Sequence, residues 1–381
     1  MTFSFRVTDS HPTSPARCGQ FDTPHGPITT PAFMPVGTRG TVKGIMPRDL
    51  RESGSSMVLA NTLHLQLRPG EKTVRKLGGL HKFMAWDGPI LTDSGGYQVF
   101  SMSDIADLDD DGVTFKSFIN GDRIRFTPEY AMDVQHDLGA DVIMAFDHCP
   151  ADPVDRKLVE GATERTHRWL DRCVKRWKNN GGIDAGQALF GIIQGGAFAD
   201  LRAASVEAIC AHDLAGYAIG GVSVGEDRDA ILAAFDAALP LMPTDRPRYL
   251  MGIGTPLDFF EAVERGADLF DCVTPTRHGR NHQVYTSRGR ANVRNAGWKE
   301  RTDSLDPACP CPACTQYPVG VLRHLCVCDE MLGASLLSLH NLYFFHGLMA
   351  QMRTAIAAGT LAELRAEILP TLQQRLRPDE L

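Results

Sequence analysis

The stretch DVIMAFD, residues 141–147, passes through five consecutive apolar residues and stops at a carboxylate. A strand with one face in water alternates apolar and polar positions, whereas an unbroken apolar run fits a strand covered on both faces, as in a parallel sheet. Seven more runs share this form: FMPVGT (33–38), MVLAN (57–61), PILTDS (89–94), LFGIIQG (189–195), GYAIGGVS (216–223), RYLMGIG (248–254) and LFDCVTP (269–275). Helical stretches fall between several of them, among them TPEYAMDVQHDLG (127–139), with a proline near its start, residues 155–178, and PLDFFEAVERG (256–266). This alternation predicts an α/β fold, a (β/α)8 TIM-type barrel with elaborations. An open doubly wound sheet is the competing architecture.

In a barrel of this kind, reactive groups sit where the strands end, on the face built by the βα loops. The polar or glycine residues at those ends are Asn61, Asp93, Asp147, Gln194, Gly221, Gly252 and Asp271. A single strand-end acid is commonly a helix cap or turn residue. Three carboxylates and two amides converging on one face point to chemistry.

With 381 residues and 43% hydrophobic content, the chain can bury a core in one large domain. Its start, MTFSFRVTDS, lacks a basic segment followed by an apolar run, and no run approaches membrane-spanning length, so a cytoplasmic, non-membrane protein is expected. A net charge of −7 argues against a protein that coats nucleic acid nonspecifically. DLDDDG (107–112) begins like a calcium loop, but Phe118 stands where the twelfth-position glutamate belongs, so a solvated acidic loop is expected instead. GGVSVGE (220–226) does not match a dinucleotide fingerprint; its glycines suit close approach of backbone to a flat ligand.

Five of the ten cysteines, Cys309, Cys311, Cys314, Cys326 and Cys328, crowd into one segment. In CPCPAC, three thiols on a proline-broken loop suit a tight metal knuckle. Zinc fits such a set better than an iron–sulfur cluster, whose familiar spacings differ. Cys326, Cys328, His324 and His340 are all candidates for the fourth ligand. A fully ligated shell would make the metal structural.

From Arg277 to Arg301 the chain carries seven basic residues and one acid, Glu300. Beside strand-end carboxylates, this local patch suits a polyanionic substrate whose phosphates dock while the acids act on one nucleotide.

DSGGYQVF (93–100), GIIQGG (191–196), YAIGGVSVGE (217–226), YLMGIG (249–254), FDCVTPTR (270–277) and CPCPAC followed by SLHNLYF (338–344) together resemble tRNA-guanine transglycosylase of the bacterial type, in order over nearly the whole chain. The resemblance implies a (β/α) barrel with a zinc-binding insertion and a homodimer. It also implies exchange of the anticodon wobble guanine for a deazaguanine base on the way to queuosine, in tRNAs for aspartate, asparagine, histidine and tyrosine. One catalytic domain over residues 1–381 is implied: residues 1–300 as the main part of the barrel, 301–345 as the zinc-binding subdomain, and 346–381 as a helical segment completing the barrel.

Carried over by motif, Asp271 is the implied nucleophile and Asp93 the general acid/base. Retention of sugar configuration through two displacements accords with that pair. Asp93, Asp147, Gln194 and Gly221 match base-binding positions, and Tyr97 and Met251 match the residues that sandwich the base. Cys149 and Val224 match the bacterial type, which accepts 7-aminomethyl-7-deazaguanine; the carbonyl near Val222, with Glu226 behind it, would receive the aminomethyl group. Arg277 and Arg280 are the implied RNA contacts, and Cys309, Cys311, Cys314 and His340 the implied zinc ligands. The chain departs from the commoner family pattern at His148, Thr255, His278 and Gly279. A retaining glycoside hydrolase and a noncatalytic RNA-binding homologue are the alternatives; the basic patch and the retention of both acids weigh against them.

Overall fold

All eight apolar runs are strands, and they close into one parallel barrel in the computed structural model of the chain, which describes residues 3–102, 104–150 and 152–377. The strands are β1 (Ala32–Gly37), β2 (Val58–Ala60), β3 (Ile90–Thr92), β4 (Val142–Met144), β5 (Ala188–Ile193), β6 (Gly216–Ile219), β7 (Arg248–Leu250) and β8 (Leu269–Cys272). Each pairs in parallel with the next. β8 returns to β1 with Leu269 opposite Ala32 and Asp271 opposite Met34, so the barrel has no open edge. That closure excludes the open sheet.

The interior is packed, as continuous apolar strands require. Met34, Leu59, Leu91, Met144, Phe190 and Tyr249 belong to one buried cluster that also takes in Phe21 and Ile28 from outside the barrel. These two come from an antiparallel sheet of Ser4–Ser10, Arg17–Thr23 and Gly26–Thr30. Phe21 meets Phe190 with ring centroids 5.8 Å apart, and His25 Nδ1 lies 2.6 Å from Asp141 Oδ1, one residue before β4. The sheet therefore covers the N-terminal end of the barrel and leaves the other end for chemistry. Its outer strand is almost wholly exposed and carries no apolar run, which is why periodicity does not announce it.

The helices between strands begin where local chemistry dictates. Thr127 accepts a hydrogen bond from Tyr130 N and precedes Pro128–Leu138, which ends at Gly139 with φ 75°. Asp155 caps Arg156–Asn179 through the N–H groups of Lys157 and Leu158. Thr255 and Asp258 form a reciprocal capping box for Pro256–Val263. The acids of DLDDDG are exposed, as expected of a solvated acidic loop. The loop turns between the antiparallel strands Asp104–Leu108 and Val113–Lys116, with Asp109 paired to Arg125, Asp110 to Arg168 and Asp111 to Arg172.

After β8 come the helix Thr274–Arg280, the hairpin Gln283–Thr286 and Gly289–Asn292, the short helices Pro312–Gln316 and Val319–Val327, and then the helices Met331–Ala358 and Leu361–Gln373. Met331–Ala358 runs unbroken through residue 345, so the two segments expected on either side of that position share one helix. Residues 378–381 of the expected C-terminal segment lie outside the described residues. Helix Thr274–Arg280 crosses the long helix so closely that a Cβ at Gly279 would lie 2.4 Å from Ser338 N. Among the described residues no helix is long and apolar enough to cross a membrane.

Phe190→Ala removes the ring that joins the barrel interior to the N-terminal sheet. Denaturant unfolding should show a loss of about 3–5 kcal/mol; an unchanged midpoint would mean that the sheet does not depend on this contact.

Candidate active site

The residues anticipated at strand ends do meet at the C-terminal mouth of the barrel. Asp93 follows β3 directly and is buried. Its Oδ1 accepts from Thr62 N (3.0 Å) and Gly95 N (3.2 Å), and its Oδ2 from Asn61 Nδ2 (2.6 Å) and Gln98 Nε2 (3.2 Å). Burial pushes its carboxyl up to about 7. The Asp271 and Asp147 carboxylates add to the rise, and the N–H groups of Thr62 and Gly95 oppose it. Asp93 is thus poised to hold or release a proton near neutrality.

Asp147, three residues beyond β4, is also buried, and burial raises its pKa. Ser94 Oγ donates to its Oδ1 at 2.9 Å and Gln194 Nε2 to its Oδ2 at 2.8 Å. Two glycines make room for these groups. A Cβ at Gly96 would stand 2.5 Å from Asp147 Oδ1, and one at Gly221 would stand 2.3 Å from Gln194 Oε1. Gly221 also has φ +61°, a backbone region that glycine tolerates best. Gln194 Oε1 is buried with no hydrogen-bond partner among the described residues. The Asp147 carboxylate as acceptor and the Gln194 amide beside it match the polar edge of a flat heterocycle.

Tyr97, 48% exposed amid buried neighbours, stands in the first turn of helix Gly96–Met102. Met251, just after β7, is half-buried against the barrel interior. Val222 and Cys149 are buried, and the Cys149 thiol is pushed up to about 12, chiefly by burial. Glu226 holds the loop that follows Val222. It accepts from Ser223 N and, at 2.9 Å, from Val224 N.

Asp271 projects from β8. Its Oδ1 accepts from Tyr249 Oη at 2.6 Å and Gly252 N at 2.8 Å, while Oδ2 has no hydrogen bond to the described residues. Burial raises its pKa, and the two donors work against the rise. Three residues later the chain enters helix Thr274–Arg280, which carries Arg277, exposed, and Arg280, half-buried. Neither is in an ion pair among the described residues, and Arg280 Nη1 has no hydrogen-bond partner there. Other members of the basic stretch are neutralised locally, Arg294 by Asp329 and Arg301 by Asp303.

Away from the mouth, Cys309, Cys311, Cys314 and His340 bring four ligand atoms within 4.8 Å of one another. His340 Nδ1 lies 3.4 Å from Cys311 Sγ and 3.3 Å from Cys314 Sγ. A sulfur and a nitrogen sharing one tetrahedral zinc ion would stand about 3.5 Å apart, given bonds of about 2.3 and 2.0 Å. The donor set therefore fits zinc. His340 Nε2 lies 2.7 Å from Tyr285 O, so its hydrogen bond leaves Nδ1 as the ligand. Cys326 is buried in the adjoining apolar cluster, and Cys328 is exposed with its sulfur 3.8 Å from His324 Nδ1. Neither enters the cluster.

Comparison with known proteins accords with this geometry. The family model described as queuine tRNA-ribosyltransferase matches residues 11–374. The chain belongs to that family. Relatives of the same name include those of Gloeobacter violaceus, 50% identical with 97% of each chain covered, and Halothermothrix orenii, 49% identical with 97% of this chain and 98% of the relative covered. That of Gluconacetobacter diazotrophicus is 49% identical, covering 96% of this chain and 95% of the relative.

The four positions at which the resemblance implies a departure from the commoner pattern have specific local contacts. Thr255 caps a helix, and Gly279 permits a helix crossing. His278 stacks on Tyr285 with centroids 5.7 Å apart. His148 packs on Phe100 and faces Arg165, and burial pushes its pKa down to about 4, so it is neutral at pH 7. Three groups that hold this site had not been singled out by sequence: Tyr249, Ser94 and Arg202. Tyr249 lay inside an apolar run, where a hydroxyl at a strand end was the available signal.

Purified protein should carry one equivalent of tightly held metal by elemental analysis. Cys311→Ala and His340→Ala should each lose most of it; full occupancy in His340→Ala would return Cys326 or Cys328 to the ligand set.

Proposed function

We propose that this chain exchanges the wobble guanine of tRNA for 7-aminomethyl-7-deazaguanine by double displacement through a ribosyl-aspartate. The observation that carries the reading is the state of the two acids. Asp271 has one oxygen pinned by Tyr249 and Gly252 and the other unengaged, beside an Asp93 whose carboxyl is held near 7.

Asp271 Oδ2 attacks the anomeric carbon as the bond from that carbon to guanine breaks. The electron pair departs with the base, which takes a proton from Asp93. The incoming base returns a proton to Asp93 as its ring nitrogen attacks the same carbon, and the Asp271 carboxylate leaves. Protons balance over the cycle, and sugar configuration is retained.

Base recognition draws on the same end of the barrel. Asp147 accepts from the base's ring and amino N–H groups, while the Gln194 amide and Gly221 N–H donate to its carbonyl. Gln194 has a second amide hydrogen beyond the one it gives Asp147, so both contacts can coexist. Tyr97 and Met251 cover the two faces of the ring. With Ser223 N held by Glu226, the carbonyl of Val222, on the same planar peptide, faces the other way, which suits an aminomethyl ammonium. Arg277 and Arg280 would hold phosphates of the anticodon loop, whose wobble base can be turned out at small cost.

Zinc in the Cys309, Cys311, Cys314 and His340 cluster would supply a structural cross-link with no part in the chemistry. A homodimer in the cytoplasm, acting on the tRNAs for aspartate, asparagine, histidine and tyrosine, completes the reading.

Radiolabelled guanine should enter an unmodified tRNA with a wobble guanine, and a folded, metal-loaded sample giving no incorporation would falsify the proposal. Asp271→Asn should lower exchange by roughly 10³-fold or more and abolish the denaturation-resistant RNA–protein band; a persistent band would move the nucleophile elsewhere.

Asp93 also predicts a stability profile. The native state keeps this proton up to about pH 7, whereas an unfolded aspartate releases it near 4, so wild-type stability falls as pH rises through that window. Asp93→Asn cannot titrate. Its stability relative to wild type should improve by a few kcal/mol, on the order of 1–4, between pH 4 and pH 8. Parallel unfolding curves across that range would show that Asp93 is not shifted.

A further inference from the structure

Four backbone carbonyls converge on one buried guanidinium behind the base recess. Arg202, in helix Ala199–Cys210, is fully buried. Its Nε donates to Gly196 O at 2.7 Å, Nη1 to Ile193 O and Gly220 O at 2.9 Å each, and Nη2 to Gly221 O at 3.2 Å. The rigid fork thus bridges the two glycine loops that follow β5 and β6. Among the described residues no carboxylate forms an ion pair with it, although Glu226 is close enough to favour its charge. Burying an arginine without a direct counterion is costly, and an apolar side chain could fill the space. What distinguishes the arginine is its hold on the carbonyls.

The carbonyl of one residue and the N–H of the next lie on one planar peptide and point in opposite directions. Drawing Gly220 O toward the helix therefore turns Gly221 N–H toward the recess. The peptide that bears Gln194 is held from both sides, by Arg202 at Ile193 O and by Ser205 Oγ, which accepts from Gln194 N at 3.1 Å.

We propose that Arg202 is a positioning residue for base recognition, aiming the Gly221 N–H and the Gln194 amide at the carbonyl of the bound purine. It also polarises the Gly220–Gly221 peptide, making that N–H a stronger donor as negative charge grows on the departing base. This rests on the transglycosylase reading.

The test compares guanine with 2-aminopurine, which lacks the carbonyl and, with it, the ring N–H given to Asp147, as competitors in base exchange by the full-length, metal-loaded protein; each purine is compared with its own wild-type affinity, so the loss at Asp147 cancels. Arg202→Lys and Arg202→Gln should weaken guanine about tenfold, the scale of one well-made hydrogen bond, and leave 2-aminopurine within about twofold. The KM for tRNA should stay close to wild type. Equal weakening of both purines, or of neither, would overturn the inference and leave the function standing. A wild-type protein that binds neither guanine nor tRNA would remove the function and the inference with it. If both variants fail to fold, a structure of the wild-type protein with guanine decides. The base carbonyl must lie on Gly221 N–H with Gly220 O still on Arg202, and a broken Arg202 contact or a carbonyl placed elsewhere would refute the role.

Discussion

The constraint on which the site depends is the withdrawal from water of three carboxyl groups at one end of the barrel, Asp93 and Asp147 buried and Asp271 half-buried. Asp93, Asp147 and Asp271 are each raised in pKa chiefly by loss of water, and Asp93 also feels the other two. Charges so placed are tolerated only when the surrounding donors are already in position. Backbone N–H groups of Thr62, Gly95 and Gly252, the Tyr249 hydroxyl, the Ser94 hydroxyl and the Gln194 amide fill that need. The environments then diverge. Asp93 has donors on both oxygens and still sits near 7, while Asp271 keeps one oxygen unengaged, so similar side chains are fitted to different tasks.

Those donors are in place because a closed parallel barrel sets every strand end on one rim. Closure between β8 and β1 puts Asp271 opposite Met34, and the plug of Phe21 and Ile28 seals the opposite end. Glycine then matters where side chains crowd. Gly96 gives way to Asp147, and Gly221 to Gln194, so the walls of the recess are partly backbone. A wall of backbone offers N–H groups whose direction must be set from behind, and Arg202 has the geometry for that.

Much of this was legible in the sequence. Unbroken apolar runs mark strands covered on both faces, so all eight barrel strands could be found, and the residue after each run marked the rim. The cysteine spacing likewise marked three of the four residues of the candidate metal cluster, while His340 was implied by the family resemblance. What escaped depends on partners far apart in the chain or on polar strands. The hydroxyl of Tyr249 acquires its meaning from Asp271 on the next strand, and Arg202 from carbonyls on two separate loops. The outer strand Ser4–Ser10 buries too little to leave a pattern. The partners of the DLDDDG carboxylates cannot be read from the loop itself: Arg125 stands on the strand Arg123–Phe126, and Arg168 and Arg172 on a helix 58 and 61 residues from their acids.

The metal cluster and the rim are mechanically one unit. His340 and Asn341 are neighbours on helix Met331–Ala358. His340 reaches the cysteines and Tyr285 O, while Asn341 Nδ2 donates to Pro275 O at 2.9 Å and to Gln283 O at 3.0 Å, and its Oδ1 accepts from Tyr285 N at 3.1 Å. Two residues earlier, Ser338 Oγ donates to Thr276 O at 3.2 Å. These bonds fasten the long helix to the short helix that starts three residues after Asp271 and carries Arg277 and Arg280. A metal cross-link among the four residues would therefore steady the long helix to which the short helix carrying Arg277 and Arg280 is fastened. A metal with no open coordination position would thus bear on the rim without taking part in chemistry, through the helix that follows β8.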